Sequence, residues 1–227
     1  MGLLVDAALF AALSAAFFLG VGHSFEPDHL VAVSTIVTQR RGVAKSLLTG
    51  SYWGLGHTVV LLLAGLFVII LKIQFLIYQS QFFEFGVGVM LIILGVWTIR
   101  NVKQNRLHFH AHEHQGKIHS HFHSHPNNSE SHDHRHLPFW VGVVHGLAGG
   151  GGLVILAMST MVSFIQALLF MVAFGGGTIF GMSMFGSALS LPLTLGKRWS
   201  YRIGSVASVA TGILSVLLGL VVIAGNI

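Results

Sequence analysis

Long apolar stretches, separated by short polar ones, set the pattern of this chain. Residues 3–38 form one apolar region, interrupted at 23–30 by HSFEPDHL. Residues 46–71 carry no charge, residues 82–99 are apolar apart from Glu84, and residues 137–196 contain no Asp, Glu, Lys or Arg. A last apolar run covers 203–225. A transmembrane helix needs about 20 mostly apolar residues. The pattern therefore predicts six spans, with 137–196 supplying two of them joined by a tight turn near VSFIQ. The first region does not fit a straight helix, because residues 3–38 would run about 54 Å against a bilayer core of roughly 30 Å. It is expected to be broken, re-entrant or extended beyond the membrane.

Composition agrees with an all-α polytopic membrane protein. Of 227 residues, 53% are hydrophobic and only 8% charged, with mean hydropathy +0.77; a soluble domain carries roughly 25% charged residues. The first apolar run lacks the basic start of a secretory signal and carries Asp6, so it is expected to be retained. Position 6 also fails the myristoylation pattern. There is no cysteine, which excludes a disulfide framework and thiolate metal sites. A pI near 10.0 does not imply nucleic acid, since the basic residues are few and scattered between apolar runs. Six spans put Arg40, Arg41, Lys45, Arg100, Lys103, Arg106, Lys117, Arg135, Lys197, Arg198 and Arg202 on one side and Lys72 on the other. Basic loops stay cytoplasmic, so both termini are expected outside the plasma (inner) membrane of a prokaryotic cell.

The chain also repeats itself. GVGH at 20–23, with LV and STIV at 34–37, is echoed by GVVH at 142–145, with LV and STMV at 159–162. SLLTGSYWGLGHTVV at 46–60 faces ALLFMVAFGGGTIFG at 167–181, and LIILGVWTI at 91–99 faces SVLLGLVVI at 215–223. The offset stays at about 120–125 residues throughout. Three spans per copy require the second to be inverted, an arrangement found in transporters with interrupted helices and a site at the repeat interface. The division is 1–102 for one three-span repeat, 103–138 for a cytoplasmic His-rich loop expected to be disordered, and 139–227 for the second repeat. The interruptions are expected at HSFEPDH in span one and HGLAGGGG in span four.

The polar cluster in span one carries the candidate chemistry. In a regular helix successive residues turn about 100°, which would splay His23, Asp28 and His29 around the axis. Pro27 removes a backbone donor, and Gly20 and Gly22 loosen the approach, so an unwound stretch would let the three side chains converge. Imidazole suits nickel, cobalt, copper and zinc, while carboxylates also accept harder ions. Two histidines with carboxylates and no cysteine therefore point to a divalent transition metal. His57 in GLGHTVV joins this set, with Thr58 beside it. Glu26 is open between ligand and partner of a ligand or helix cap. For His145, the echo of His23, a helix-packing hydrogen bond is the plainer reading. Met182 and Met184 read as packing rather than soft ligands, and the glycines at 149–152 as points of close helix approach. Ionisable groups within a membrane are expensive and by default functional.

The spacing His-x4-Asp-His at 23–29, followed by LGHTVV at 55–60, resembles the nickel/cobalt transporter superfamily. The Glu-Pro pair inside the motif, the six spans and the His-rich central loop resemble its shorter branch, which includes nickel/cobalt exporters and urease-accessory-like membrane proteins. GMSMFG at 181–186 is faintly similar to a later signature, without its carboxylates. The resemblance implies transport of Ni2+ or Co2+ through His23, Asp28, His29 and His57; from the residues alone, Glu26, Thr58, His145 and Met182 are the candidates for additional ligands or partners of ligands.

The loop contributes His108, His110, His112, His114, His119, His121, His123, His125, His132, His134 and His136. Alternation such as HFHAHEH would put imidazoles on one face of a strand, but Pro126, the Asn-Asn-Ser run and the polarity favour disorder. His-rich tracts read as metal binding, so the loop is expected to collect metal. Transport of a divalent cation is the first functional reading, with no resident cofactor and no enzymatic activity. An intramembrane metalloenzyme is a second, although only four histidines lie in the spans, too few for the repeated clusters of a di-iron site, and His-Glu-x-x-His is absent. A metal sensor or chaperone anchor for an enzyme such as urease is a third. The partners are the bilayer and divalent ions, with a second copy of the chain or a cytoplasmic metallochaperone left open.

Overall fold

A computed structural model of the chain describes residues 2–39, 42–71, 80–104, 108–114, 117–123, 136–149, 163–195 and 200–226. They form α1 (Gly2–His23), α2 (Pro27–Val37), α3 (Val43–Leu71), α4 (Ser80–Gln104), β1 (His108–His114), β2 (Lys117–His123), α5 (Leu137–Gly149), α6 (Phe164–Leu195) and α7 (Ser200–Gly225). Among the described residues, α3, α4, α6 and α7 are each long and apolar enough to cross a bilayer. The pair α1–α2 makes a fifth span bent by 61°. The sixth expected span holds α5, a shorter apolar helix over Leu137–Ala148. Of the interruption expected at HGLAGGGG, His145 to Gly149 are helical within α5, and residues 150–162 lie outside the described residues. This is an integral membrane protein with an all-helical membrane core.

The bend follows from Pro27, which opens α2 without an N–H to donate and forces the residue before it out of helical geometry. Glu26 is extended, at φ −62° and ψ 146°. The amides around the break still find carbonyls: Ser24 donates to Gly20, Phe25 to Gly22 and Glu26 to His23, at 3.0–3.1 Å. A span can break in this way because the freed amides are satisfied inside the protein.

Small residues set the helix crossings, as expected where lipid removes the hydrophobic drive between helices. Gly20 of α1 lies against Phe174 and Thr178 of α6, and Gly142 of α5 lies against Trp53 and His57 of α3. Gly177 meets Phe17 and Val21, and Gly56 meets Phe139 and Val143. Each contact maps onto its counterpart when residues are exchanged at the repeat offset. The same holds for Gly54 on Ile179 and Gly175 on Thr58, and for the packing of Gly88 on Gly219 and Gly95 on Gly212. Contact order gives the directions. The α3–α6 and α4–α7 pairs run antiparallel, whereas α1 runs parallel to α6 and α5 parallel to α3. Hence α1 and α5 point in opposite directions, the relation required of inverted copies.

Contacts also join the helix ends that carry Lys45, Arg100 and Lys103. Gln39 Nε2 donates to Thr98 Oγ1 and Asn101 Nδ2 to Gln39 Oε1, each at 2.8 Å, joining the ends of α2 and α4. Gly186 near the end of α6 lies against Ser46 at the start of α3. The interior holds Trp53, Ile36, Leu91 and Met182, all fully buried, while Phe10, Phe18, Ile165, Val206 and Val221 are exposed, as a lipid-facing surface requires.

One expectation needs correction. The pattern predicts disorder throughout the loop 103–138, but within it β1 and β2 pair as an antiparallel hairpin with His108 opposite His123, His110 opposite His121 and His112 opposite His119. The period-two alternation of His with Phe109, Ala111, Ile118 and Phe122 is a strand pattern, and Pro126 and the Asn-Asn-Ser run lie beyond it. His125, His132 and His134 fall outside the described residues.

The packing carries a test. A methyl at Gly142 would meet the Trp53 carbonyl, whereas one at Gly86 meets nothing within 4 Å. Gly142→Ala should destabilise the detergent-solubilised protein by about 1–3 kcal/mol, and Gly86→Ala should be neutral or slightly stabilising. Thermal unfolding followed by circular dichroism reads both.

Candidate metal centre

Four histidines converge at the middle of the bundle. His23 ends α1, His29 is the third residue of α2, His57 lies mid-way along α3 and His145 lies in α5. In an unbroken helix His23 and His29 would sit about 240° apart around the axis. Across the bend their ring centroids come to 4.6 Å. His57 reaches both at 5.2 Å, and His145 lies 4.1 Å from His29. Glycine contacts make this possible, since Gly142 and Gly146 of α5 bring that helix directly onto His57.

Two carboxylates orient the rings. His23 Nδ1 donates to Glu26 Oε1 at 2.9 Å. Asp28 Oδ1 accepts from His29 Nδ1 at 3.0 Å and from the His29 amide at 2.9 Å. Asp28 Oδ2 accepts from His145 Nε2 at 2.8 Å. A carboxylate on one ring nitrogen fixes the tautomer and leaves the other nitrogen's lone pair for a cation.

The remaining ring nitrogens have no such partner. His23 Nε2, His29 Nε2, both nitrogens of His57 and His145 Nδ1 are buried and find no hydrogen bond among the described residues. Leaving a buried polar atom unmatched costs about 1–3 kcal/mol, and a cation would satisfy several at once. His23, His29 and His57 each offer a ligand atom within 4.8 Å of one another, as do Asp28, His29 and His145. The histidines are 0–3% exposed, but the side chains of Asp28 and Glu26 are 24% and 43% exposed, so the centre opens on its carboxylate side.

This arrangement redistributes the expected ligands. Asp28 groups with His29 and His145 rather than with His23 and His57. Glu26 bonds His23, in keeping with the partner reading. His145 bonds Asp28 within the cluster, beyond the packing role that was its plainer reading; the echo of GVGH in GVVH was the available signal. The Thr58 hydroxyl donates to the Gly175 carbonyl at 3.2 Å and so ties α3 to α6. Met182 packs with Trp53 and Ile36 in the core. Phe174 and Trp53, not singled out by sequence, flank His23 at 5.4 Å and His145 at 5.8 Å. In the hairpin, residues at alternate positions share a face, so the register puts seven histidine positions, from His108 to His123, on one face.

Fold and centre together define a polytopic helical membrane protein with a buried His/carboxylate cluster between its two halves. The chain belongs to the family described as the cytochrome C biogenesis protein transmembrane region, which matches residues 49–214. It is similar to the urease accessory protein UreH of Bacillus sp. (strain TB-90), with 36% identity over 216 residues, covering 93% of this chain and 90% of that protein. That likeness fits the urease-accessory-like branch of the nickel/cobalt transporter superfamily that the motifs resemble. No solved structure matches the chain.

Glu26 offers a direct check on ring orientation. With the eleven loop histidines replaced by Ser, Glu26→Gln should weaken Co2+ binding by about 10–100-fold without loss of helical content. Titration of purified protein, followed by cobalt absorption, measures it.

Proposed function

We propose that this protein carries a divalent transition-metal cation, nickel or cobalt, across the membrane through the centre formed by His23, His29 and His57. The observation that carries this reading is the set of buried, unmatched imidazole nitrogens at the middle of a bundle of apolar spans. A dication cannot cross a low-dielectric core unaided, and imidazoles held in place can substitute for its hydration shell. Nitrogen donors without sulfur suit nickel and cobalt, and among divalent ions affinity rises from cobalt to nickel. The inverted packing supports transport further, since such repeats place a site where two halves can move against each other. An enzyme would need room for a substrate beside the metal, whereas the rings here pack at 4.1–5.2 Å.

The likeness to a urease accessory protein favours nickel and a role in supplying a metalloenzyme. The family's description points to cytochrome c biogenesis, but this chain has no cysteine, so a thiol-dependent step would have no residue to carry it. Lys45, Arg100 and Lys103 at the joined helix ends, together with the basic residues of the connecting sequence, favour that end as cytoplasmic, with the His-rich hairpin there. A lone two-stranded hairpin is marginal in water, and cations bridging paired histidine positions would reinforce it. Many weak sites near an entrance raise local metal concentration.

The test is uptake of radioactive Ni2+ and Co2+ into vesicles of known orientation. Intact protein should move metal. Asp28→Asn should abolish transport with the fold retained. Replacing the eleven loop histidines by Ser should weaken apparent affinity for metal on the hairpin side while maximal transport stays near normal. Absence of flux with inserted, folded protein would contradict transport.

A further inference from the structure

The two three-residue groups in the centre share one residue, His29. Its ring lies between His23 and His145, at 4.6 and 4.1 Å, and these two are counterparts at the repeat offset. One group draws on α1 and α3, the other on α5. The two groups therefore stand on opposite sides of His29 and of the exchange that relates the repeats.

Resting on the cation reading above, we propose that the centre holds two mutually exclusive stations for one divalent cation, with His29 serving both. The first station is His23, His29 and His57; the second is Asp28, His29 and His145. Exclusivity follows from the chemistry of a neutral imidazole, which has one lone pair and one N–H. When His29 Nδ1–H donates to Asp28, as it does at 3.0 Å, the lone pair is on Nε2, which has no partner among the described residues and is available to the first station. For the ion to sit with Asp28 and His145, Nδ1 must present the lone pair and Nε2 must carry the proton, which withdraws His29 from the first station.

His145 changes in the same sense. Its Nε2 now donates to Asp28, and its unmatched Nδ1 takes the proton when Nε2 turns to the ion. Each ring keeps one proton, exchanged through water entering beside Asp28 and Glu26, so no net charge is added. Two dications a few ångströms apart would also repel strongly in a medium of low dielectric constant. Handing one ion from station to station lets it bind tightly enough to enter and still leave, as multi-site conduction requires.

The probe is Co2+ on the full-length chain with its eleven loop histidines replaced by Ser. This chain should bind one Co2+. His57→Ala and His145→Ala should each still bind one, about 10–100-fold more weakly, with visible spectra that differ from each other because the ligand sets differ. His29→Ala, with His29→Gln as a size-matched companion, should bind none while keeping helical content. In vesicles, both His57→Ala and His145→Ala should lose at least about tenfold in transport rate.

Two ions per chain would overturn exclusivity. Loss of all binding in folded His57→Ala or His145→Ala would show one composite site. A His145→Ala protein unchanged in affinity, spectrum and flux would reduce His145 to a packing partner and leave the cation reading intact. No Co2+ bound by the unsubstituted centre would overturn both.

Discussion

Pro27 gives the chain no amide with which to continue the hydrogen-bond ladder of α1, and the arrangement of the centre follows from where that break falls. The helix turns by 61° within three residues, its amides close on nearby carbonyls, and two rings that a straight helix would have pointed apart are brought edge to face. Glu26 and Asp28 flank the proline, so the carboxylates that hold the rings are carried by the bend itself. A straightened span would pull His29 away from His23 and Asp28 away from His145.

Close helix approach completes what the bend begins. Gly142 on α5 lets the Trp53 and His57 backbone come into direct contact, and this contact brings His145 to Asp28. Its counterpart, Gly20 against Phe174 and Thr178, lies on the other side of the exchange. There the position matching His57 is Thr178, whose hydroxyl bonds the Phe174 and Gly20 carbonyls at 3.0 and 3.3 Å. The two halves thus share a packing plan but not a ligand set. Histidine stands where the centre lies, and a hydroxyl bonded to backbone carbonyls of two helices stands where it does not.

Much of this was legible in the sequence. Apolar run lengths gave the five described spans, Pro27 the break, and costly polar groups in an apolar region His23, His29 and His57, whereas His145 read as a packing residue. The repeat was visible as three weak echoes at one offset, and its physical basis is the glycine contacts that the offset exchanges. The partner of Asp28 was not legible. His29 is its neighbour in sequence, but His145 lies on another helix and is brought near only by packing around Gly142 and Gly146. The hairpin was half legible: the alternation of His with Phe and Ile is a strand pattern, but the polar tract from Pro126 onward carries the signature of disorder and adjoins it without a boundary in composition.

The central claim is that intramembrane imidazoles, oriented by carboxylates, are the cation's ligands. X-ray absorption of the Ni2+-loaded chain, with its loop histidines replaced by Ser, tests it most directly. The account predicts an inner shell containing at least two imidazoles in the intact centre, with a measurable loss of imidazole scattering in His29→Gln. A shell made only of oxygen donors, unchanged by that substitution, would contradict it.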